Sequence, residues 1–93
     1  MRPYELTVIF TTEEDLYRQA KETVSTTLKE LGGEITKEDE LGERQLAYEI
    51  NGKMRGRYML FLFNMSPEKI IAAEKVFKLD TRIMKYLFVR VEK

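Results

Sequence analysis
The chain has 93 residues, 43% hydrophobic and 34% charged, with 16 Lys+Arg balanced by 16 Asp+Glu; this is one domain's length, residues 1–93, with apolar content enough for a single core and too high for wholesale disorder. It contains no cysteine and no histidine, which removes disulfides, thiolate nucleophiles, imidazole bases and the commonest zinc ligands, so no metal, cofactor or redox chemistry is expected. No apolar run nears the ~20 residues of a membrane helix, and the opening Met1-Arg2-Pro3-Tyr4-Glu5 lacks the apolar segment of a signal peptide, so a cytoplasmic protein is expected.

Tyr4 to Phe10 alternates Tyr4, Leu6, Val8 and Phe10 with Glu5, Thr7, Ile9 and Thr11, the period-2 pattern of a strand, and its β-branched and aromatic content suits a central one. Thr11 and Thr12 offer N-caps, and Glu13, Glu14 and Asp15 favour the positive end of a helix dipole. A helix over residues 13–31 follows, with Leu16, Ala20, Val24, Leu28 and Leu31 on its buried stripe. Gly32-Gly33 ends it, because glycine accepts the left-handed conformation common at helix C-termini. Ile35 to Lys37 opens a second strand, interrupted by Glu38-Asp39-Glu40; clustered charge there suits a sheet edge, and Gly42 suits a bulge.

Residues 41–58 combine alternation, glycines and cations. Leu46, Tyr48 and Ile50 point to one face, with Gln45, Ala47 and Glu49 on the other, as in a half-buried strand. A tight Asn51-Gly52 turn sets Leu46 opposite Arg57 and Ile50 opposite Lys53, apolar against cation. A six-residue loop over 51–56 instead sets Tyr48 opposite Met59 and Leu46 opposite Phe61, pairs that each stabilise a sheet by up to ~1 kcal/mol, and is the predicted arrangement. Tyr58 to Met65 is a central strand with Met59, Phe61, Phe63 and Met65 toward the core and Tyr58, Leu60, Leu62 and Asn64 on the less protected face. Ser66-Pro67-Glu68 is a compact helix start, and the helix runs to about Phe77 with Ile70, Ala73 and Phe77 buried. Leu79-Asp80 connects it to a last strand, Ile83 to Val91, ending in Arg90, Glu92 and Lys93.

The element order β, α, β, β, α, β predicts an α+β split βαβ, or ferredoxin-like, sandwich: a four-stranded antiparallel sheet in the order 2-3-1-4 with two helices on one face. The zero net charge conceals an asymmetry, for residues 1–43 carry 5 Lys+Arg and 11 Asp+Glu while residues 44–93 carry 11 and 5. Such a division suggests one basic face, although an acidic first helix and a basic second half attracting one another would read the same way.

The run Gly42-Glu43-Arg44-Gln45-Leu46-Ala47-Tyr48-Glu49-Ile50 resembles the signature of bacterial small-subunit ribosomal protein six. The opening Met1-Arg2-Pro3-Tyr4-Glu5, Gly32-Gly33, Gly56-Arg57-Tyr58, Ser66-Pro67-Glu68 and Leu79-Asp80 leading to Met84-Lys85-Tyr86-Leu87 are similar to further landmarks of that family, so the resemblance covers essentially the whole chain. Several members have proline where Glu49 stands, and many carry a charged tail beyond the last strand that has no counterpart here, so tail-dependent binding is not expected. The resemblance implies a structural role without catalysis: binding the central domain of small-subunit ribosomal RNA as a heterodimer with ribosomal protein eighteen of the same subunit.

The candidate RNA contacts fall in two groups. Arg44, Lys53, Arg55 and Arg57 sit in and beside the predicted hairpin loop, and Arg2 and Tyr4 are expected to adjoin Arg82, Lys85, Tyr86 and Arg90 through the pairing of first and last strands. Tyr4, Tyr58 and Tyr86 are placed to stack on bases or, as strand aromatics usually do, to pack across strands. Gly52 and Gly56 form no nucleotide-phosphate motif and are read as loop hinges. An alternative from another class is a small-molecule-binding regulatory module of the same architecture, although the connection Thr11-Thr12-Glu13 is short and acidic for a ligand cradle. An acylphosphatase-type enzyme shares the topology but needs an arginine-bearing phosphate loop after the first strand, which is absent.

Overall fold
A computed structural model describes residues 1–91. Alternating apolar residues build strand β1 (Arg2–Phe10), an amphipathic run builds helix α1 (Glu14–Glu30), and two long strands follow, β2 (Glu34–Ile50) and β3 (Lys53–Met65). A 3-10 turn over Pro67–Lys69 leads into helix α2 (Ile70–Leu79), and β4 (Ile83–Arg90) closes the sheet. The strands are antiparallel neighbours in the order β2-β3-β1-β4, and both helices pack on one face. This is the ferredoxin-like sandwich that the element order predicts. Glu92 and Lys93, placed by the sequence reading at the end of the last strand, lie outside the described residues.

The core lies between the helices and one side of the sheet. Leu6, Val8 and Phe10 of β1 and Met59, Phe61, Phe63 and Met65 of β3 meet Ala20, Val24 and Leu28 of α1 and Ala73 and Phe77 of α2, all buried. The four fully enclosed phenylalanines, Phe10, Phe61, Phe63 and Phe77, each contribute roughly 1.5–3 kcal/mol of burial. One core residue of α1 departs from the expected stripe: Tyr17 is buried while Leu16 is only half-buried.

Helix α1 ends in the hydrogen-bond pair of a Schellman motif, with Gly33 N–H donating to Leu28 O at 2.8 Å and Gly32 N–H to Lys29 O at 3.0 Å. Gly32 has φ +85°, and a Cβ on Gly33 would stand 2.7 Å from Leu28 O, so both glycines are required. At the other end the expected threonine caps are not used. Glu13 occupies the N-cap without a side-chain cap bond, leaving the acidic first turn to satisfy the dipole.

The β2–β3 connection corrects the six-residue loop. The turn is the tight pair Asn51-Gly52, with φ +50° and +76°, and Ile50 pairs with Lys53. Of the two apolar-against-cation pairs that argued against this turn, Ile50 opposite Lys53 is kept, and Leu46 opposite Arg57 is removed by an irregularity: between Gln45↔Arg55 and Ile50↔Lys53, β2 advances five residues and β3 only two. Extra residues bend a strand, and here they detach Leu46 to Glu49 from the register that a regular ladder would impose. Tyr48 therefore does not face Met59, nor Leu46 Phe61; Met59 pairs with Glu40 and Phe61 with Glu38. A second shift lies between Glu40 and Gly42, and Gly42 has φ +92°, as expected for a bulge there.

Gly56 is no loop hinge. It is buried inside β3, where a Cβ would come within 2.4 Å of Ile9 Cγ2. Its missing side chain lets Ile9 settle on the helix-free side of the sheet, and Leu46 is also buried, outside the main core cluster.

Candidate nucleic-acid interface
The hairpin cations do not form one cluster, because alternate residues of a strand project to opposite faces. Arg57 has the parity of Met59 and Phe61 and turns toward α1. Its Nη1 lies 2.7 Å from Glu14 Oε2, and its guanidinium sits 4.6 Å from the centre of the Tyr17 ring. Arg44 lies on the other side of the sheet, over the ring of Tyr58 at 5.7 Å. Arg55 is paired with Glu43 at 2.6 Å. Lys53, at the tip, is exposed and makes no ion pair among the described residues.

Arg57 belongs to a clamp joining α1 to the edge strand. Tyr17 donates from its hydroxyl to Glu40 Oε1, and Lys21 Nζ reaches the same carboxylate oxygen at 2.7 Å while lying 5.2 Å from the Tyr17 ring centre. The tyrosine ring is thus flanked by two cations. Hydrogen bonds from Lys21 and then Tyr17 hold the Glu40 carboxyl below its ordinary range. Burial, followed by the neighbouring Glu40 carboxylate, pushes the Tyr17 phenol far up, and Arg57 lowers the pKa of Glu14. A phosphate competing for Arg57 must break this arrangement.

The second candidate group divides between the two ends of the sheet. Tyr4 pairs with Arg90, and Val91 N–H donates to Pro3 O at 3.0 Å, which brings Arg2 and Arg90 to one end. Lys85 pairs with Ile9, five β1 residues along, or ~17 Å at the rise of an antiparallel strand. Arg82 precedes β4 at that far end, where its carbonyl accepts from Thr11 N–H. Its guanidinium is committed: Nε and Nη2 grip Asp80 at 2.8 and 2.6 Å, and Nη2 also donates to Thr23 Oγ1 at 3.2 Å. The bidentate bond from Arg82 lowers the Asp80 pKa, and the whole unit braces the α2–β4 turn against α1.

Two of the three candidate stacking tyrosines are packing residues. Tyr4 is buried with its ring stacked on Phe63 at 5.8 Å, and Tyr86 lies edge-on to Phe77 and Phe88. Tyr58 is half-buried on the helix-free face beneath Arg44. The more open ring is Tyr48, 59% exposed, whose hydroxyl accepts from Lys85 Nζ at 2.8 Å. Sequence reasoning passed it over as a cross-strand packer; the bend that frees it follows from pairing geometry, for which strand alternation carries no signal.

What remains is a set of five exposed cations, Arg44, Lys53 and Lys85 toward one end of the sheet and Arg2 and Arg90 at the other, none in an ion pair among the described residues. Between them the helix-free face presents Leu60, Leu62, Leu87 and Val89, the last two 57% and 43% exposed. Among the described residues no acidic, cysteine or histidine group could hold a metal ion, and no helix is long and apolar enough to cross a membrane.

Residues 3–90 match the family described as Ribosomal protein S6. The small ribosomal subunit protein bS6 of Treponema denticola is 46% identical over 92 residues, covering 99% of each chain. That of Treponema pallidum (strain Nichols) is 39% identical with the same coverage, and that of Caldanaerobacter subterraneus is 35% identical over 94 residues, again with 99% of each chain covered. The crystal structure of 30S ribosomal protein S6 from Thermotoga maritima superposes with a TM-score of 0.91 at 25% identity, over 97% of this chain and 87% of that one. Fold alone is shared with the C-terminal domain of the MgtC protein from Mycobacterium tuberculosis, at a TM-score of 0.57 and 12% identity. With the family matched from the first strand to the last, the chain belongs to the bacterial ribosomal protein S6 family, whose members are structural proteins of the small ribosomal subunit and not enzymes.

Proposed function
We propose that this chain binds the central domain of small-subunit ribosomal RNA together with ribosomal protein eighteen of the same subunit. The carrying observation is the division of its surface: five exposed cations without ion pairs stand at the two ends of the sheet, and between them the helix-free face sets Leu60, Leu62, Leu87 and Val89 around Glu5 and Thr7. Each uncommitted cation can neutralise a phosphate and release counterions without first breaking an ion pair. The exposed Leu87 and Val89, with the half-buried Leu60 and Leu62 beside them, match the apolar centre of a protein interface rather than an RNA groove. Arg55, Arg57 and Arg82 are already paired with carboxylates, so Arg2, Arg44, Lys53, Lys85 and Arg90 are the phosphate contacts of the proposal.

Filter binding of central-domain RNA with and without ribosomal protein eighteen tests the reading. The isolated chain, neutral overall, should bind weakly, and the partner should raise its affinity strongly. Equal affinity in both conditions would refute the partnership. The small-molecule alternative has less support, since the β1–α1 connection is confined to residues 11–13 and builds no cradle.

A further inference from the structure
The β2–β3 hairpin outreaches the rest of the sheet. The β1–β3 ladder ends at Phe10↔Arg57, so Lys53 to Gly56 have no β1 neighbour in the ladder, and past Gln45↔Arg55 the two strands of the hairpin meet again only at Ile50↔Lys53. A two-stranded ribbon is marginal by itself in water, yet Arg44 and Lys53, two of the uncommitted cations, ride on this one. Lys53 lies ~14 Å beyond Arg57 at the rise of an antiparallel strand, so a tilt of ~15° at the root would swing the tip by ~4 Å. That exceeds the length of a whole hydrogen bond. On the helix-free side the root is seated by Ile9 against Gly56. On the helix side stand Glu40, just before the register shift at Gly42, and Arg57, where β3 leaves β1.

We propose that Glu14, Tyr17, Glu40 and Arg57 are positioning residues for RNA binding: they fix the root of the hairpin to the start of α1 and so aim Arg44 and Lys53 at phosphates, without touching RNA themselves. The inference rests on the RNA binding proposed above and says how two of its cations are aimed. Each strand of the ribbon has its own attachment. Glu40 holds β2, taking the Tyr17 hydroxyl and Lys21 Nζ on one carboxylate oxygen. Arg57 holds β3, reaching Glu14 at 2.7 Å while its guanidinium lies 4.6 Å from the Tyr17 ring centre. One attachment would leave the ribbon free to hinge about the other strand, whereas two on adjacent strands fix its tilt. Both meet at Tyr17, which is buried and packs edge-on to Phe10, the last residue of β1, with ring centres 5.4 Å apart. The post is therefore part of the core, and the hairpin is tied to the most rigid part of the molecule.

The test pairs RNA binding with a direct measure of hairpin direction. The chain has no cysteine, so Met54→Cys on the hairpin and Lys29→Cys on α1, both exposed, take spin labels alone, and the distance distribution between them is read without RNA by pulsed electron resonance. Unlabelled chains are titrated with central-domain RNA in the presence of ribosomal protein eighteen, over a series of salt concentrations and well below the melting temperature. Tyr17→Phe keeps the ring and loses the bond to Glu40; Glu40→Gln loses the charge that Lys21 meets. Each should broaden the distance distribution and lower RNA affinity threefold or more, with the salt slope unchanged because the same phosphates are met once the ribbon is in place. Val24→Ala, in the core of α1 away from the clamp, should lower the melting temperature and leave affinity and distances as in the wild type. RNA affinity retained by both clamp variants, or distances that stay narrow in both, would overturn the positioning role and leave RNA binding standing. An equal loss of affinity in Val24→Ala would assign the effect to general stability and overturn it too. Failure of the wild-type pair to bind the RNA would overturn both readings.

Discussion
Gly56→Ala isolates the contact on which the bent hairpin rests. The φ of Gly56 is not positive, so alanine carries no backbone penalty there and its effect is steric. The added Cβ would stand 2.4 Å from Ile9 Cγ2 and 3.4 Å from Phe10 O. The first distance is far inside van der Waals contact, and the obstructing methyl belongs to a β-branched side chain with little χ1 freedom that is itself buried. Overpacking of this kind costs about 1–3 kcal/mol, which for a chain of this size lowers Tm by roughly 4–8 °C per kcal/mol. Ile9→Leu removes the Cγ2 branch at similar volume and alone should cost less than ~1.5 kcal/mol. Thermal and urea unfolding of both single variants and the double variant form a cycle. The double variant should be more stable than the sum of the singles by ~1 kcal/mol, since the clash cannot occur twice. Additivity within ~0.5 kcal/mol, the behaviour of independent sites, would refute the account of Gly56 as a seat for Ile9.

In the partner-bound complex, Lys53→Ala and Arg44→Ala should each reduce the slope of log affinity against log salt by about 0.7–0.9 with Tm unchanged, whereas Arg57→Ala should lower Tm and leave the slope alone; a salt titration beside a melting curve reads both. Tyr48→Ala should shift stability by no more than ~0.5 kcal/mol, as for an exposed surface residue, and a large drop in Tm would restore the cross-strand packing that the register denies it. Glu40 and Asp80 have folded-state pKa values below their ordinary ones, so their contribution is complete above the unfolded carboxylate range of about 3.9–4.3 and is lost as pH falls through the folded values. Glu40→Gln should therefore flatten the acid limb of a urea-midpoint series taken from neutral pH downward, and an unchanged limb would remove the Lys21–Glu40–Tyr17 clamp from the account.

The element order and the buried faces were legible because each rests on a local period. Met59, Phe61, Phe63 and Met65 alternate to one side of β3 in the sequence and lie buried on that side in the structure, and Gly32-Gly33 ends α1 as its chemistry requires. The hairpin was not legible for a related reason. The expectation of a six-residue loop assumed that β2 and β3 stay in one register, so that every apolar residue must find an apolar opposite. The chain instead keeps the favoured Asn51-Gly52 turn and absorbs the mismatch as extra residues in β2. A local turn preference and a global facing preference conflicted, and a bulge reconciles them at Leu46 while Ile50 stays opposite Lys53. Tyr17 escaped notice because a tyrosine at the margin of a helix stripe has a polar end, and only the tertiary placement of Glu40 provides that end with a partner.

The cations show the same limit with a functional consequence. Clustering along the sequence placed Arg44, Lys53, Arg55 and Arg57 in one patch, but strand parity separates Arg44 from Arg57, and the acidic first half of the chain decides which of them remain available. Glu14 engages Arg57 and Glu43 engages Arg55, whereas Lys53 at the turn and Arg44 over Tyr58 lie where no carboxylate pairs with them among the described residues. The charge asymmetry between the two halves is therefore partly cancelled inside the fold, across the α1–β3 and β2–β3 contacts. Of the candidate contacts, those left without an ion pair, Arg2, Arg44, Lys53, Lys85 and Arg90, stand at the ends of the sheet, so in the proposed function a chain of zero net charge offers local positive potential to RNA there while the sheet face between them meets a protein. A uniformly basic chain would attract RNA to every face; here internal pairing withdraws several arginines from that competition and leaves the sheet face between them uncovered.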